Sequence, residues 1–264
     1  SFSLGSASTA TISGGGITNV NKLILSNGVA ANAKYNRQFT ELTASTVTGS
    51  SFNDTLSFGN DSNVKIEGGI NLNLNQDGSD TVKIGKNSTF TTSNISFSNG
   101  TKSKNSFSLG SASTATISGG GITNVNKLTL SNGIAANSKH KQQFTELSAS
   151  TVTGSVFNDT LSFGNDTKVE VWDGISLGNG DDTLKIGNLA DVEFGKLDFG
   201  EGKDTLTIGK KSIVTIEDLN VDSLEKLTMG AGAELYLDEW SYYAAKEKWG
   251  DKYSKQIFLL GEKS

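Results

Sequence analysis

Residues 182–194 read DTLKIGNLADVEF, and 22 positions later residues 204–216 read DTLTIGKKSIVTI. In both, large apolar residues fall at alternate positions (Leu184 and Ile186, then Val192 and Phe194; Leu206 and Ile208, then Val214 and Ile216), separated by Thr, Lys or Glu. Alternation with a period of two is the signature of a strand with one buried face. A Gly-centred break between the two runs marks a corner, where Gly, Asn and Asp accommodate a tight turn.

The same pattern recurs outward in both directions. Close copies start at Asp54, Asp80, Asn105, Asp159, Asp182 and Asp204, and more degenerate ones at Asn21, Asn126 and Glu225. Their spacings are 33, 26, 25, 21, 33, 23, 22 and 21 residues. A unit of about two dozen residues that cannot bury its own face is a solenoid coil, covered by its neighbours. Ahead of most Asp positions lies a third alternating run, INLNL (70–74), ISF (95–97), ISL (175–177) and LDF (197–199). The chain is therefore expected to be all-β: a three-sided parallel β-solenoid of about ten coils, of either hand, over residues 1–237.

A longer duplication overlies the coil. Residues 1–69 and 106–174 agree at 55 of 69 positions, so that 1–105 and 106–210 form an internal repeat. Differences cluster in AANAKYNRQFTEL and AANSKHKQQFTEL, the insertions of the two 33-residue coils, where Tyr35, Asn36 and Arg37 become His140, Lys141 and Gln142. Insertions of this kind belong at corner loops, and His140, the single histidine, reads as a solvated loop residue. The chain has 31 Gly and no Pro, which suits strands paired on both sides. Without cysteine there are no disulfides, thiolate metal sites or Cys nucleophiles. A net charge of −5 argues against nucleic acid and anionic membrane as partners, and no apolar window is long enough for a membrane span. Ser1 falls inside a repeat and is not an initiator Met, so a piece of a longer protein is expected, with any signal sequence lying outside it.

The motif G-x-G-x-D-x-L occurs at Gly178–Leu184 and Gly200–Leu206, with a weaker form over Asn75–Val82. It resembles the glycine- and aspartate-rich repeats of RTX proteins, bacterial secreted toxins, adhesins and surface-layer proteins. That resemblance implies Ca²⁺ held by turn carbonyls and stacked carboxylates, here Asp181, Asp182, Glu201 and Asp204, with Asp77 and Asp80 as a lesser pair. RTX nonapeptides run in tandem, however, whereas these motifs come once per coil. The competing reading has each Asp accepting backbone N–H groups in its own turn, and Asn21, Asn105 and Asn126 at the same register favour it.

Other functions have thinner support. Thr55, Thr81, Ser106, Thr160, Thr183 and Thr205 form an outward array of the kind that orders water in ice-binding proteins, but lysines interrupt it. Trp172 with Glu170 and Asp173 is the nearest approach to a sugar-processing groove; its counterpart in the first copy is Glu67, and no enzyme is expected. Residues 238–264 hold two of the three Trp; Asp238 reads as the N-cap of a helix stopped by Gly250, followed by a strand at Gln256–Leu260, together a cap or docking segment. The expectation is an extracellular scaffold of a bacterial surface, self-associating into an array or filament and calcium-stabilised, with a ligand-binding adhesin module as the alternative.

Overall fold

The structure is a computed structural model that describes residues 1–29, 38–73, 77–135 and 141–260. His140 and the tips of both insertions lie outside the described residues. Among these residues the strands form two parallel sheets, one of ten strands and one of thirteen. They are traversed alternately: Phe2–Leu4, Lys22–Leu25, Thr55–Phe58 and so on to Lys226–Met229 in the first, and Thr9–Ile12, Thr40–Ala44, Ser62–Ile66 and so on to Glu234–Leu237 in the second. This is the expected β-solenoid, about ten coils long.

Register follows the sequence repeat. Thr183–Ile186 pairs with Thr205–Ile208 residue for residue, placing Leu184 on Leu206 and Ile186 on Ile208. The alternate positions all turn inward: Leu184, Ile186, Val192, Phe194, Leu197 and Phe199 are each buried in one coil. Every such side chain contributes about 1.5–3 kcal/mol by leaving water. Aromatic rings continue the stacking through the core, with Phe58, Phe90 and Phe107 at centroid separations of 5.6 and 6.4 Å.

The third expected run is not a separate strand in most coils. Ile95-Ser96, Ile175-Ser176 and Leu197-Asp198 are the far ends of the longer strands Thr89–Ser96, Thr167–Ser176 and Asp191–Asp198. Their pairing continues across register shifts such as Val171/Ile175. Bulged residues bend a strand while keeping most of its ladder; Gly174, at φ 106°, is one of the hinges.

A second glycine requirement explains the Gly that follows the first-sheet strand in most coils. A Cβ on Gly209 would lie 2.3 Å from the carbonyl of Gly187, and one on Gly187 would lie 2.4 Å from that of Gly164. Stacked coils approach too closely here for any side chain. The insertions leave at this corner through necks closed by antiparallel bridges, Val29 with Gln38 and Ile134 with Gln143.

The C-terminal segment closes the last coil. The helix spans Glu239–Tyr253, with Asp238 as N-cap accepting from the Ser241 N–H at 3.1 Å. It runs past Gly250, where the sequence suggested a stop, because tertiary bonds hold its last turn. The buried Tyr253 hydroxyl donates to the Leu227 carbonyl at 2.9 Å, and Lys246 Nζ donates to the Ser254 carbonyl at 2.9 Å. The strand Ile257–Leu259 then pairs with Glu234–Leu237, one residue shorter at each end than expected. Among the described residues no helix is long and apolar enough to cross a membrane.

Candidate functional site

The carboxylates singled out from sequence lie at the corner that feeds the first sheet, and they divide into two sets. Position one of each DTL unit points inward: Asp54, Asp80, Asn105, Asp159, Asp182 and Asp204 are all buried. Each unit bonds to the next along the axis. Asp54 N–H donates to Asp80 Oδ1 at 2.9 Å, Asp80 N–H to Asn105 Oδ1 at 3.0 Å, and Asn105 N–H to Asn126 Oδ1 at 2.7 Å. Past the insertion coil, Asp159 N–H donates to Asp182 Oδ1 and Asp182 N–H to Asp204 Oδ1, both at 2.7 Å. The column ends on Glu225, whose Oε2 accepts the Asp204 N–H at 2.5 Å.

This is the backbone-accepting arrangement that the Asn positions suggested. Asn fits because only an acceptor is demanded, and its amide finds carbonyls: Asn105 Nδ2 donates to Ser98 O at 2.7 Å and to Asn124 O at 3.0 Å. The first Asp after each insertion is better provided for. Asp159 accepts from Ser155 N–H at 2.5 Å and from Ser155 Oγ at 2.8 Å, and Gly154 beside it leaves room, since a Cβ there would meet Asp159 Oδ2 at 2.3 Å. By contrast, Asp80, Asp182 and Asp204 each keep a buried Oδ2 with no hydrogen-bond partner among the described residues.

Electrostatics follow from that shortage. Burial raises the Asp182 carboxyl to about 7, against the lowering effect of the Asp159 N–H, and the charges of Asp159, Asp204 and Asp181 add to the rise. Asp80 is raised to about 6, by burial first and by the charge of Asp54 as well. Asp54, Asp159 and Asp204 are also raised by burial. A carboxyl that costs this much to ionise is neutral in part near pH 7.

The preceding position points outward. Asp181 is exposed, its N–H donating to Asn158 Oδ1 at 3.0 Å and its Oδ1 accepting the Lys203 N–H at 2.9 Å. Glu201 is exposed beside it, tied through its backbone to Gly178 and Gly180. Asp77 is exposed in a turn, apart from the buried Asp80. Inward and outward carboxylates thus do not converge: among the described residues no three His, Cys, Asp or Glu side chains form a group able to hold a metal ion.

Columns of other residues complete the corners. Asn132, Asn165 and Asn188 accept the N–H groups of Asn165, Asn188 and Lys210, each at 2.8 Å. Asp61, Asn87, Asp166, Leu189 and Lys211 hold the same corner with φ between 52° and 56°. Ser88 accepts the Ser62 N–H at 3.1 Å and donates to Gly59 O at 3.2 Å, and Ser212 likewise takes the Ala190 N–H at 3.1 Å and donates to Gly187 O at 2.7 Å. The Thr array is confirmed as one register column, interrupted by Lys22, Lys127 and Lys226. Trp172 is half exposed on the second sheet, its Nε1 donating to Glu170 Oε1 at 2.6 Å.

One feature escaped the sequence reading. An open cleft of about 950 Å³ lies on the DTL corner between Thr101–Lys104 and Phe157-Asn158. The signal that could have found it is the 21-residue spacing at Asn105, short between its neighbours of 25 and 33. No family model, curated protein or solved structure matches this chain.

Proposed function

We propose that the chain is a stiff structural rod of a bacterial extracellular surface, a scaffold element that self-associates through its exposed faces and ends. One observation carries this reading: side-chain columns at both corners, Asp/Asn on one side and Asn and Ser/Thr on the other, join coil to coil in addition to the two backbone ladders. Hydrogen bonds repeated along one axis resist bending and stretching of that axis, which is a mechanical property rather than a catalytic one. Ten coils at a strand spacing of about 4.8 Å make a rod about 50 Å long.

Calcium enters this proposal as an accessory. The support is the Oδ2 of Asp182 and of Asp204, hard oxygen acceptors without a partner among the described residues, for which a cation would compensate; the absence of a three-ligand group among those residues weighs against a dedicated cage. Melting with and without EDTA decides the point, since an ion bound to the native state raises Tm with its concentration.

The rod reading is tested on the purified chain by analytical ultracentrifugation and negative-stain electron microscopy at rising concentration, with and without millimolar Ca²⁺. Ordered filaments or sheets are expected. A monomer at all concentrations and both Ca²⁺ levels would overturn self-association. Protease shaving of intact cells that leaves the protein untouched would overturn the surface location.

A further inference from the structure

The DTL corner is uneven, and the unevenness makes a notch. After Thr89–Ser96 the chain reaches Asn105 through an eight-residue loop, 97–104; after Thr145–Thr153 it reaches Asp159 through a five-residue loop, 154–158. The coil between them turns from Thr114–Thr123 to Asn126 through Asn124 and Val125 alone. With strands about 4.8 Å apart, the two loops stand about 10 Å apart over the short corner. Between them lies the cleft of about 950 Å³, and a hollow of about 230 Å³ that shares Ser103 and Phe157 extends it.

Its lining combines three lysines with an aromatic ring. Lys102 and Lys104 stand on one wall, Phe157 and Asn158 on the other, and Lys127 on the floor. All three lysines are exposed, and none forms an ion pair among the described residues, in a chain whose net charge is −5. Phe157 is half-buried and faces Thr101–Lys104 across the cleft.

We infer that this notch binds one chain of a carboxylate-bearing polysaccharide, its sugar rings lying along the slot against Phe157 and its carboxylates facing Lys102, Lys104 and Lys127. The width admits a single pyranose chain between the walls. An aromatic wall packs against the apolar C–H face of a sugar, and ammonium groups select for acidic sugars over neutral ones. A peptide is the poorer occupant. Lys127–Leu130 is already paired on both sides, with Ser106–Leu109 and Thr160–Phe163, so the notch offers no strand edge to which a peptide backbone could add. Recognition here rests on side chains, and an acidic peptide would gain charge contacts only. This binding is independent of self-association.

Calorimetric titration with a hexamer of galacturonate at fixed 0.15 M salt tests the inference. Wild type should bind it, with no heat from a neutral hexose hexamer and at least tenfold weaker binding of hexaglutamate. The triple variant K102Q/K104Q/K127Q should lose tenfold or more and F157L about threefold or more, while K83Q/K185Q, on the same sheet outside the notch, should stay within twofold. Failure of wild type to bind the uronate, equal binding by the triple variant, an equal loss in the control pair, or hexaglutamate binding as tightly would each overturn it. Amide shifts of the unmutated protein supply a readout independent of variant folding: changes should centre on 101–104, 126–127 and 157–158, and changes elsewhere alone would also overturn it.

Discussion

Asp182 shows how a repeat position can be at once indispensable and uncomfortable. Its Oδ1 takes the Asp159 N–H, a bond the corner requires, while its Oδ2 is buried without a partner among the described residues. The folded carboxyl sits near 7 against an ordinary 3.8, so the fold binds this proton more tightly than the unfolded chain does. The resulting stability is fully present below about pH 3.8 and is lost as pH rises through about 7. Thermal melts should accordingly show a higher Tm at pH 5 than at pH 8. Asp182→Asn keeps the acceptor and removes the charge, as Asn105 already does. It should raise stability at pH 8 by about 1–3 kcal/mol and flatten the pH dependence, both measurable by urea titration at the two pH values. A different constraint governs Gly187, where a methyl would meet the Gly164 backbone. Gly187→Ala should cost about 1–3 kcal/mol in the same assay. The sequence marked both positions as corner residues; which of the carboxylate's oxygens goes unpaired depended on neighbours about 22 residues away.

Strands were legible because their inward residues alternate without exception in units such as DTLKIG, and the register followed from the repeat itself. The merging of the second and third runs was not, since a bulge at Gly174 or between Thr92 and Asn94 leaves no mark beyond small residues that also serve as turns. The terminal helix was placed correctly at its start, where Asp238 announces a cap, and too short at its end. Gly250 is a stop signal in isolation, yet Tyr253 and Gln256 reach back to the carbonyls of Leu227 and Gly230 and carry the chain beyond it. Ser241 does the same for the second sheet, accepting the Leu219 N–H at 2.9 Å and donating to the Leu219 carbonyl at 3.2 Å. Asp238→Ala should therefore lower stability by about 0.5–2 kcal/mol, the usual cost of a lost N-cap, seen as a drop in the denaturation midpoint. Tyr253→Phe, which leaves the Leu227 carbonyl unpaired, should cost about 1–3 kcal/mol by the same measurement.

In a stack where each coil touches only its neighbours, whole coils are interchangeable when their registers match. Residues 1–53 and 106–158 occupy the same places in the two copies, so deleting residues 54–158 joins Asn53 to Asp159 in register. The shortened chain should fold to the same strand content per residue by circular dichroism. Its length by small-angle X-ray scattering should fall by four coils, about 19 Å. A deletion of similar size that ends mid-strand should not fold, because a one-residue slip sends the core residues outward.

The sequence by itself determined the coil, its inward and outward faces, its glycine corners and the duplication, because all of these depend on spacing along one chain. Only the tertiary structure decided what the acidic motif does and where the cleft lies. Carboxylates that look like one cluster in GNGDD and GEGKD are parted by the strand's alternation, Asp182 and Asp204 turning into the core and Asp181 and Glu201 out to solvent. Lys102, Lys127 and Phe157, scattered over three coils in the sequence, are brought to one slot by stacking at strand distance.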